Sequence, residues 1–196
     1  MDHYECQYRS YANEFWHQLI GTLWTEQESL EYLPIVFVND AGQNIRETTH
    51  GVTHYHTNTC TGIATIYPVI YLQNLHSDTE IKRTIRHEAI HYFLGIQYRC
   101  HDDDSALFWL VCDLFDGGAY LPLDDSKDAI FKTAIPFLHE ALQLYTETQS
   151  TSVACNLSLM LTAIDDAEFS NSANLNKLTQ QLNVCLEAAK LSVRKP

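Results

Sequence analysis

Long apolar runs, CxxC cysteine pairs and an excess of basic residues are all missing from this chain of 196 residues. No apolar run approaches the roughly 18 residues that a membrane-spanning helix requires, which argues against a membrane span. The amino terminus carries charged residues and no apolar signal segment, so we expect a cytoplasmic protein. The sequence also shows no internal repeat, no glycine-rich phosphate loop and no Ser/His/Asp signature.

The balance of charge argues against nucleic acid as a partner. The chain has 12 Lys and Arg against 25 Asp and Glu, and a net charge of −13. Nucleic-acid backbones bind basic patches, because such patches release the counterions condensed on the phosphates. One local basic group, Lys82, Arg83 and Arg86, falls on a predicted helix, where it can pair with Glu80 and nearby aspartates.

The cysteines do not form a metal-binding or disulfide pattern. They are scattered along the chain without a CxxC pair, at Cys6, Cys60, Cys100, Cys112, Cys155 and Cys185. In a reducing cytoplasm such residues are free thiols, several of them buried as small hydrophobic side chains. The spacing therefore disfavours a zinc site with cysteine ligands.

The most informative motif is HExxH at residues 87–91, formed by His87, Glu88 and His91. On an α-helix, residues four apart share a face, so both imidazoles can reach one metal ion. Glu88 would lie at the rim of that site, where it can accept a proton from a metal-bound water. The alternative interpretation is a surface helix with two solvated histidines.

The sequence around the motif favours a buried helix over that alternative. Ser77 and Glu80 have the S/T-x-x-E spacing of a capping box, which predicts the helix start. Gly95 is placed to end the helix as a C-cap residue. A β-rich segment, 66–72, precedes the helix and predicts a strand interrupted or edged at Pro68. Apolar residues recur at helical spacing through the motif: Ile81, Ile85, Ala89, Tyr92, Phe93 and Ile96.

A catalytic zinc site needs a third protein ligand and one position left open for water. The metzincin position for a third histidine holds Gln97, which excludes that pattern. A second apolar helix is predicted from Ala106 through Cys112 to about Asp116, and a ligand at its start can face the first helix. The candidates are His101, Asp102, Asp103 and Asp104, of which Asp104 is our first choice and His101 the second. At least two of the three aspartates are expected to be solvated residues at the helix start.

Residues 86–94, followed by 103–109 and the pair Gly117 and Gly118, resemble the SprT-like zincin metallopeptidases. In that family a third ligand follows the second histidine of the motif by thirteen residues and precedes an aromatic residue. The position corresponds to Asp104 here, where the family usually has histidine. The resemblance also extends upstream in order and spacing, over 33–38, 41–42 and 61–64. It implies a zincin fold, a bound zinc ion and peptidase activity.

These patterns predict the α+β class, with two parts along the chain. Residues 1–123 are expected to form a zincin-like metallopeptidase core with a small mixed or antiparallel sheet and the HExxH helix. Residues 124–196 are expected to form a helical C-terminal extension packed on the core. Outside the motif, helices are predicted at 4–23, 126–145, 151–168 and 171–193, and strands at 35–38 and 48–56. The histidines of the second strand, His50, His54 and His56, are more in keeping with a half-exposed polar face than with a second metal site.

The predicted function is hydrolysis of peptide bonds by a zinc-activated water. His87, His91 and Asp104 would hold Zn²⁺, and Glu88 would act as the general base. A peptide or protein substrate would pair with an edge strand, either 48–56 or 61–72. The alternative is a catalytically inactive zincin-fold metal-binding protein that acts as a protein-interaction module through its C-terminal helices.

Overall fold

The computed structural model describes residues 3–23, 32–39, 49–57, 64–98, 102–118, 123–170 and 174–194. Over these residues the fold is α+β and mostly helical, which confirms the predicted class. The elements in chain order are α1 (His3–Leu23), β1 (Val36–Val38), β2 (Gly51–Thr57), β3 (Ala64–Tyr71), α2 (Asp78–Gln97), α3 (Ala106–Phe115), α4 (Asp125–Thr148), α5 (Thr151–Phe169) and α6 (Leu175–Val193). Residues 41–42, which belong to the upstream part of the family resemblance, lie outside the described residues.

The three strands form one mixed sheet in the order β1-β3-β2. The central strand β3 pairs in parallel with β1, from Val36 opposite Val69 to Val38 opposite Tyr71. It pairs antiparallel with β2 over seven residue pairs. Pro68 lies within this central strand and not at a break in it. Proline is accommodated there because the pairing with β1 starts only at the next residue, Val69.

Helix α2 begins where its capping box predicts. The Ser77 hydroxyl accepts from the backbone N–H of Glu80 at 3.2 Å, and the Glu80 carboxylate accepts from the backbone N–H of His76 at 3.0 Å. The predicted end at Gly95 is wrong, because the helix continues to Gln97 and is capped by Tyr98. Gly95 instead allows a close approach, since a Cβ there would lie 2.6 Å from the ring of Tyr55 on β2.

The core is built around α2 and α3. Helix α3 is buried along almost its whole length and packs against α2, α4 and α5. Helix α1 packs on the other side of α2, where Trp16 lies 5.3 Å from Tyr92 between ring centroids. Buried apolar residues form one continuous cluster from α1 to α6. Among the described residues, no helix combines the length and the apolar character needed to cross a membrane.

The capping contact of Ser77 predicts a measurable loss of stability on removal. Ser77→Ala should lower the free energy of unfolding by about 1 kcal/mol, because the N–H of Glu80 loses its acceptor. Ser150→Ala is a matched control, since Ser150 is the N-cap of α5 and its side chain makes no capping hydrogen bond. Urea unfolding of both variants checks this difference, and an equal effect of the two substitutions would contradict it.

Candidate metal centre

The HExxH side chains of α2 face a cleft between this helix and β2. Glu88 and His91 are only 4% and 7% exposed, and the rings of His87 and His91 lie 4.9 Å apart between centroids. The cleft has a volume of roughly 280 Å³ and is open to solvent. Its lining residues come from β2, from α2 and from the turn before α3: Gly51, Val52, Thr53, Tyr55, His87, Glu88, His91, Asp102 and Asp103.

The structure brings Asp103, and not Asp104, to the two histidines. Asp103 Oδ1 lies 2.6 Å from His91 Nε2 and 3.5 Å from His87 Nε2. The carboxylate of Asp104 lies 3.0 Å from Lys127 Nζ on α4 instead. We therefore replace Asp104 by Asp103 as the candidate third ligand, while the second choice, His101, lies outside the described residues.

The physical reason for this correction is the conformation of the turn before the second helix, whose start at Ala106 is the predicted one. Helix α3 starts at Ala106, so residues 102–104 form a turn and do not follow helical spacing. The backbone N–H of Ser105 donates to the carbonyl of Asp102 at 3.3 Å and closes this turn. The turn holds Asp103 toward α2 and leaves Asp104 toward α4.

The donor atoms of His87, His91 and Asp103 fit a single metal ion. All three lie within 4.8 Å of one another. Tetrahedral ligands about 2.1 Å from zinc lie about 3.4 Å from one another, close to the 3.5 Å between His87 Nε2 and Asp103 Oδ1. The 2.6 Å contact between His91 and Asp103 is a hydrogen bond, which ligation of a metal would replace. Imidazole and carboxylate donors suit zinc and several other divalent ions.

The orientation of the His87 ring is set by the loop that follows α3. His87 Nδ1 lies 3.1 Å from the carbonyl oxygen of Gly117, which can only accept, so Nδ1 carries the proton. This tautomer leaves Nε2 free to bind a metal.

Arg86 holds the loop in place, because its guanidinium donates to the backbone carbonyl of Asp116 at 2.7 Å and to the Asp116 carboxylate at 2.5 Å. A Cβ on Gly118 would lie 2.9 Å from His87 Nδ1, so the loop can approach the ring only with glycine there.

An aromatic side chain from α3 fixes the rings of both histidines. Phe108 stacks on His91 with 4.0 Å between centroids and an interplanar angle of 15°. The same ring meets His87 edge to face at 5.0 Å. Phe108 is itself fully buried in the core, so the two histidine rings pack against a fixed part of the structure.

Glu88 is held by the strand on the opposite side of the cleft. Thr53 Oγ1 lies 2.7 Å from Glu88 Oε2 and donates to it, and it also lies 3.1 Å from the Glu88 backbone carbonyl. The hydroxyl of Tyr55 donates to the backbone carbonyl of His91 at 3.1 Å. Gly51 completes the contact, because a Cβ there would lie 2.8 Å from the Glu88 side chain.

Thr53 and Tyr55 were not among the site residues predicted from the sequence. The histidines of this strand were considered instead, and His54 stacks on Tyr67 in β3 with 5.3 Å between ring centroids. Strand alternation places residues 53 and 55 on the face opposite residue 54, and that face meets α2. The sequence signal for these two residues was the alternation along the strand. Alternation assigns residues to two faces of the strand, but it does not show which face meets α2.

The charges of the site shift three pKa values. Burial raises the pKa of Glu88, although the neighbouring histidines and Thr53 oppose that effect. Burial alone would lower the pKa of His87, but the hydrogen bond that its ring donates to Asp103 and the charges of Glu88 and Asp103 together raise it. Hydrogen bonds from both histidines hold the pKa of Asp103 well below its usual range. Asp103 is therefore an anion at every pH at which the histidines can bind a metal.

Comparison of the chain with protein-family models, with curated proteins and with solved structures finds no match. Among the described residues, the site offers a buried carboxylate beside a group of two imidazoles and a carboxylate that could hold a metal ion. An open cleft gives outside molecules access to that group. A functional assignment therefore has to be built from these residues and their contacts.

The geometry makes a prediction about the third ligand. Asp103→Ala should weaken metal binding by at least tenfold, because only the two histidines would remain as protein ligands. Asp104→Ala is the matched control, because it also removes a carboxylate, but one that pairs with Lys127. It should change the zinc affinity much less. Zinc titration against a chromogenic chelator measures both variants. If both variants bind zinc as tightly as the unaltered protein, neither carboxylate is the ligand.

The charges predict that metal affinity falls as the pH is lowered from about 8 to about 5.5. A metal ion and a proton compete for His87, and the raised pKa of this imidazole means that protonation begins above its ordinary range. Asp103, whose pKa is lowered, stays ionised throughout and adds no pH dependence of its own. The same chelator titration at a series of pH values tests this, and a constant affinity over the range would contradict it.

Proposed function

We propose that this protein is a zinc-dependent peptidase of the zincin type, with zinc held by His87, His91 and Asp103. The observation that carries the proposal is the position of Glu88, a buried carboxylate between the two histidines and the open cleft. A metal site that only stabilised a fold would have four protein ligands and no open side. Here three donor atoms converge beside a solvent-accessible space.

Zinc at this site would act as a Lewis acid on the scissile carbonyl and lower the pKa of a bound water. Glu88 takes the proton of the attacking water and then delivers it to the leaving amine. Burial raises the pKa of Glu88, which is the direction that favours a carboxyl group able both to accept a proton and to give it up again. Thr53 fixes the carboxylate through Oε2, so Oε1 is the oxygen that would accept the proton.

The substrate proposed for this site is an extended peptide laid along β2. An extended chain can add to an exposed sheet edge by backbone hydrogen bonding. The central strand β3 is paired with β2 along most of its length and with β1 from Val69 to Tyr71, so of the two strands considered from the sequence we favour β2. Within the described part of the chain, β2 is paired only with β3, and it carries Thr53 and Tyr55 beside the motif.

The test is peptide hydrolysis by zinc-loaded protein on a broad peptide mixture, with products identified by mass spectrometry. Glu88→Gln should keep zinc and the fold but lose at least about 100-fold in rate, because an amide cannot take the proton of water. Glu147→Gln is the matched control. It changes the same group on the exposed face of α4, where Glu147 accepts a hydrogen bond from Gln143 at 2.9 Å, and it should cleave like the unaltered protein.

Two outcomes would contradict this proposal in different ways. If Glu88→Gln cleaves as fast as the unaltered protein, Glu88 is not the base. If zinc binds but no peptide or protein in the mixture is cleaved, the peptidase assignment is wrong. That second result would favour the alternative of an inactive metal-binding protein that works by protein interaction.

A further inference from the structure

Hydrogen bonds to Glu168 connect the residues just after the Asp103 turn to the C-terminal helices. This residue lies at the end of α5, 63 positions after Ser105. Its carboxylate accepts from the Ser105 hydroxyl at 2.9 Å, from the Ala106 N–H at 3.0 Å and from the Leu107 N–H at 3.1 Å. The contact therefore joins α5 to the first residues of α3.

Two of these bonds go to backbone N–H groups of α3 that have no acceptor within the helix. The first N–H groups of a helix have no partner within it, and a negative charge at that end is favourable. Ser105 caps the next N–H along, that of Phe108, at 3.2 Å. Ser105 and Glu168 together thus occupy three consecutive donors at the start of α3, in a region where Ser105 is only 7% exposed.

The position of Asp103 depends on this junction. The turn at 102–104 is closed by the bond from the Ser105 N–H to the Asp102 carbonyl, so Ser105 defines its far end. The Asp103 side chain is about half exposed, and its hydrogen-bonding partners are the two histidines. A shift of Ser105 would therefore move the turn and change the distance between the Asp103 carboxylate and His91.

We propose that Glu168 is a positioning residue for Asp103, so that the metal centre requires a side chain from the C-terminal helices. This inference rests on the proposed metal centre. A second link, the ion pair of Asp104 with Lys127, is exposed on the carboxylate side, and such surface pairs contribute little. The charge-assisted bonds of Glu168 are the stronger link, because they end on backbone donors at a buried helix start.

The experiment is a double-mutant cycle on zinc affinity, measured by chelator competition on protein whose folding is verified by circular dichroism. Glu168→Gln places amide hydrogens against donors and should weaken zinc binding by about 10- to 100-fold. In an Asp103→Ala background the same change should alter the affinity by less than about twofold, because the group that Glu168 positions is already gone. Glu147→Gln serves again as the matched control and should leave the affinity unchanged.

A variant with a smaller change guards against loss of folding. Ser105→Ala keeps the two backbone contacts of Glu168, removes the contact with the Ser105 hydroxyl and also removes the cap on the Phe108 N–H; it should weaken zinc binding in the same direction. If Glu168→Gln lowers only the stability in urea and leaves the zinc affinity of the folded protein unchanged, the positioning role is wrong. An equal loss of affinity with and without Asp103 would also overturn it.

The same measurements separate this inference from the metal centre on which it rests. If the unaltered protein takes up no zinc, the metal centre itself is wrong, and the positioning role of Glu168 falls with it. If the unaltered protein binds zinc and Glu168→Gln binds it equally well, only the positioning role is wrong. Peptide hydrolysis enters neither comparison, so a failure of the peptidase assignment would leave this result intact.

Discussion

Polar side chains in the middle of a buried helix each need a partner, and this requirement organises the structure around α2. Leaving one such group without a hydrogen bond costs about 1–3 kcal/mol. Each motif residue receives its partner from a different segment: Glu88 from Thr53 on β2, His91 from Asp103 in the turn, and His87 from Gly117 after α3. The sheet, the turn and the loop are thereby held against the same two turns of one helix.

The same contacts give the two carboxylates opposite properties. Glu88 lies among buried groups, and burial raises its pKa, so it is suited to exchange a proton. Asp103 is half exposed and accepts from two imidazoles, which lowers its pKa and keeps it an anion. When two titratable groups have environments that separate their pKa values in this way, one can act as an acid or base and the other keeps its charge. In the proposed enzyme these are the roles of the base and of the metal ligand.

Local signals in the sequence predicted the local parts of the structure. The capping box fixed the start of α2, and apolar periodicity found all six helices of the described residues with small errors at their ends. The errors arose where a contact between distant segments decides the outcome. Gly95 is required by Tyr55 and not by a helix end, and Asp103 replaces Asp104 because a turn precedes α3. The bond from Thr53 to Glu88 spans 35 residues, and no local pattern contains it.

Helix α3 explains how a distant residue can act on the site. It is buried along almost its whole length and contacts α2, α4 and α5, so close packing holds its position. One end carries Ser105, bonded to Glu168, and the other ends at Asp116, bonded to Arg86 of the motif helix. The residues just outside those two ends, Asp103 and Gly117, are the partners of His91 and His87. The position of this one helix therefore sets both histidine contacts together, and whatever holds its ends also holds the metal centre.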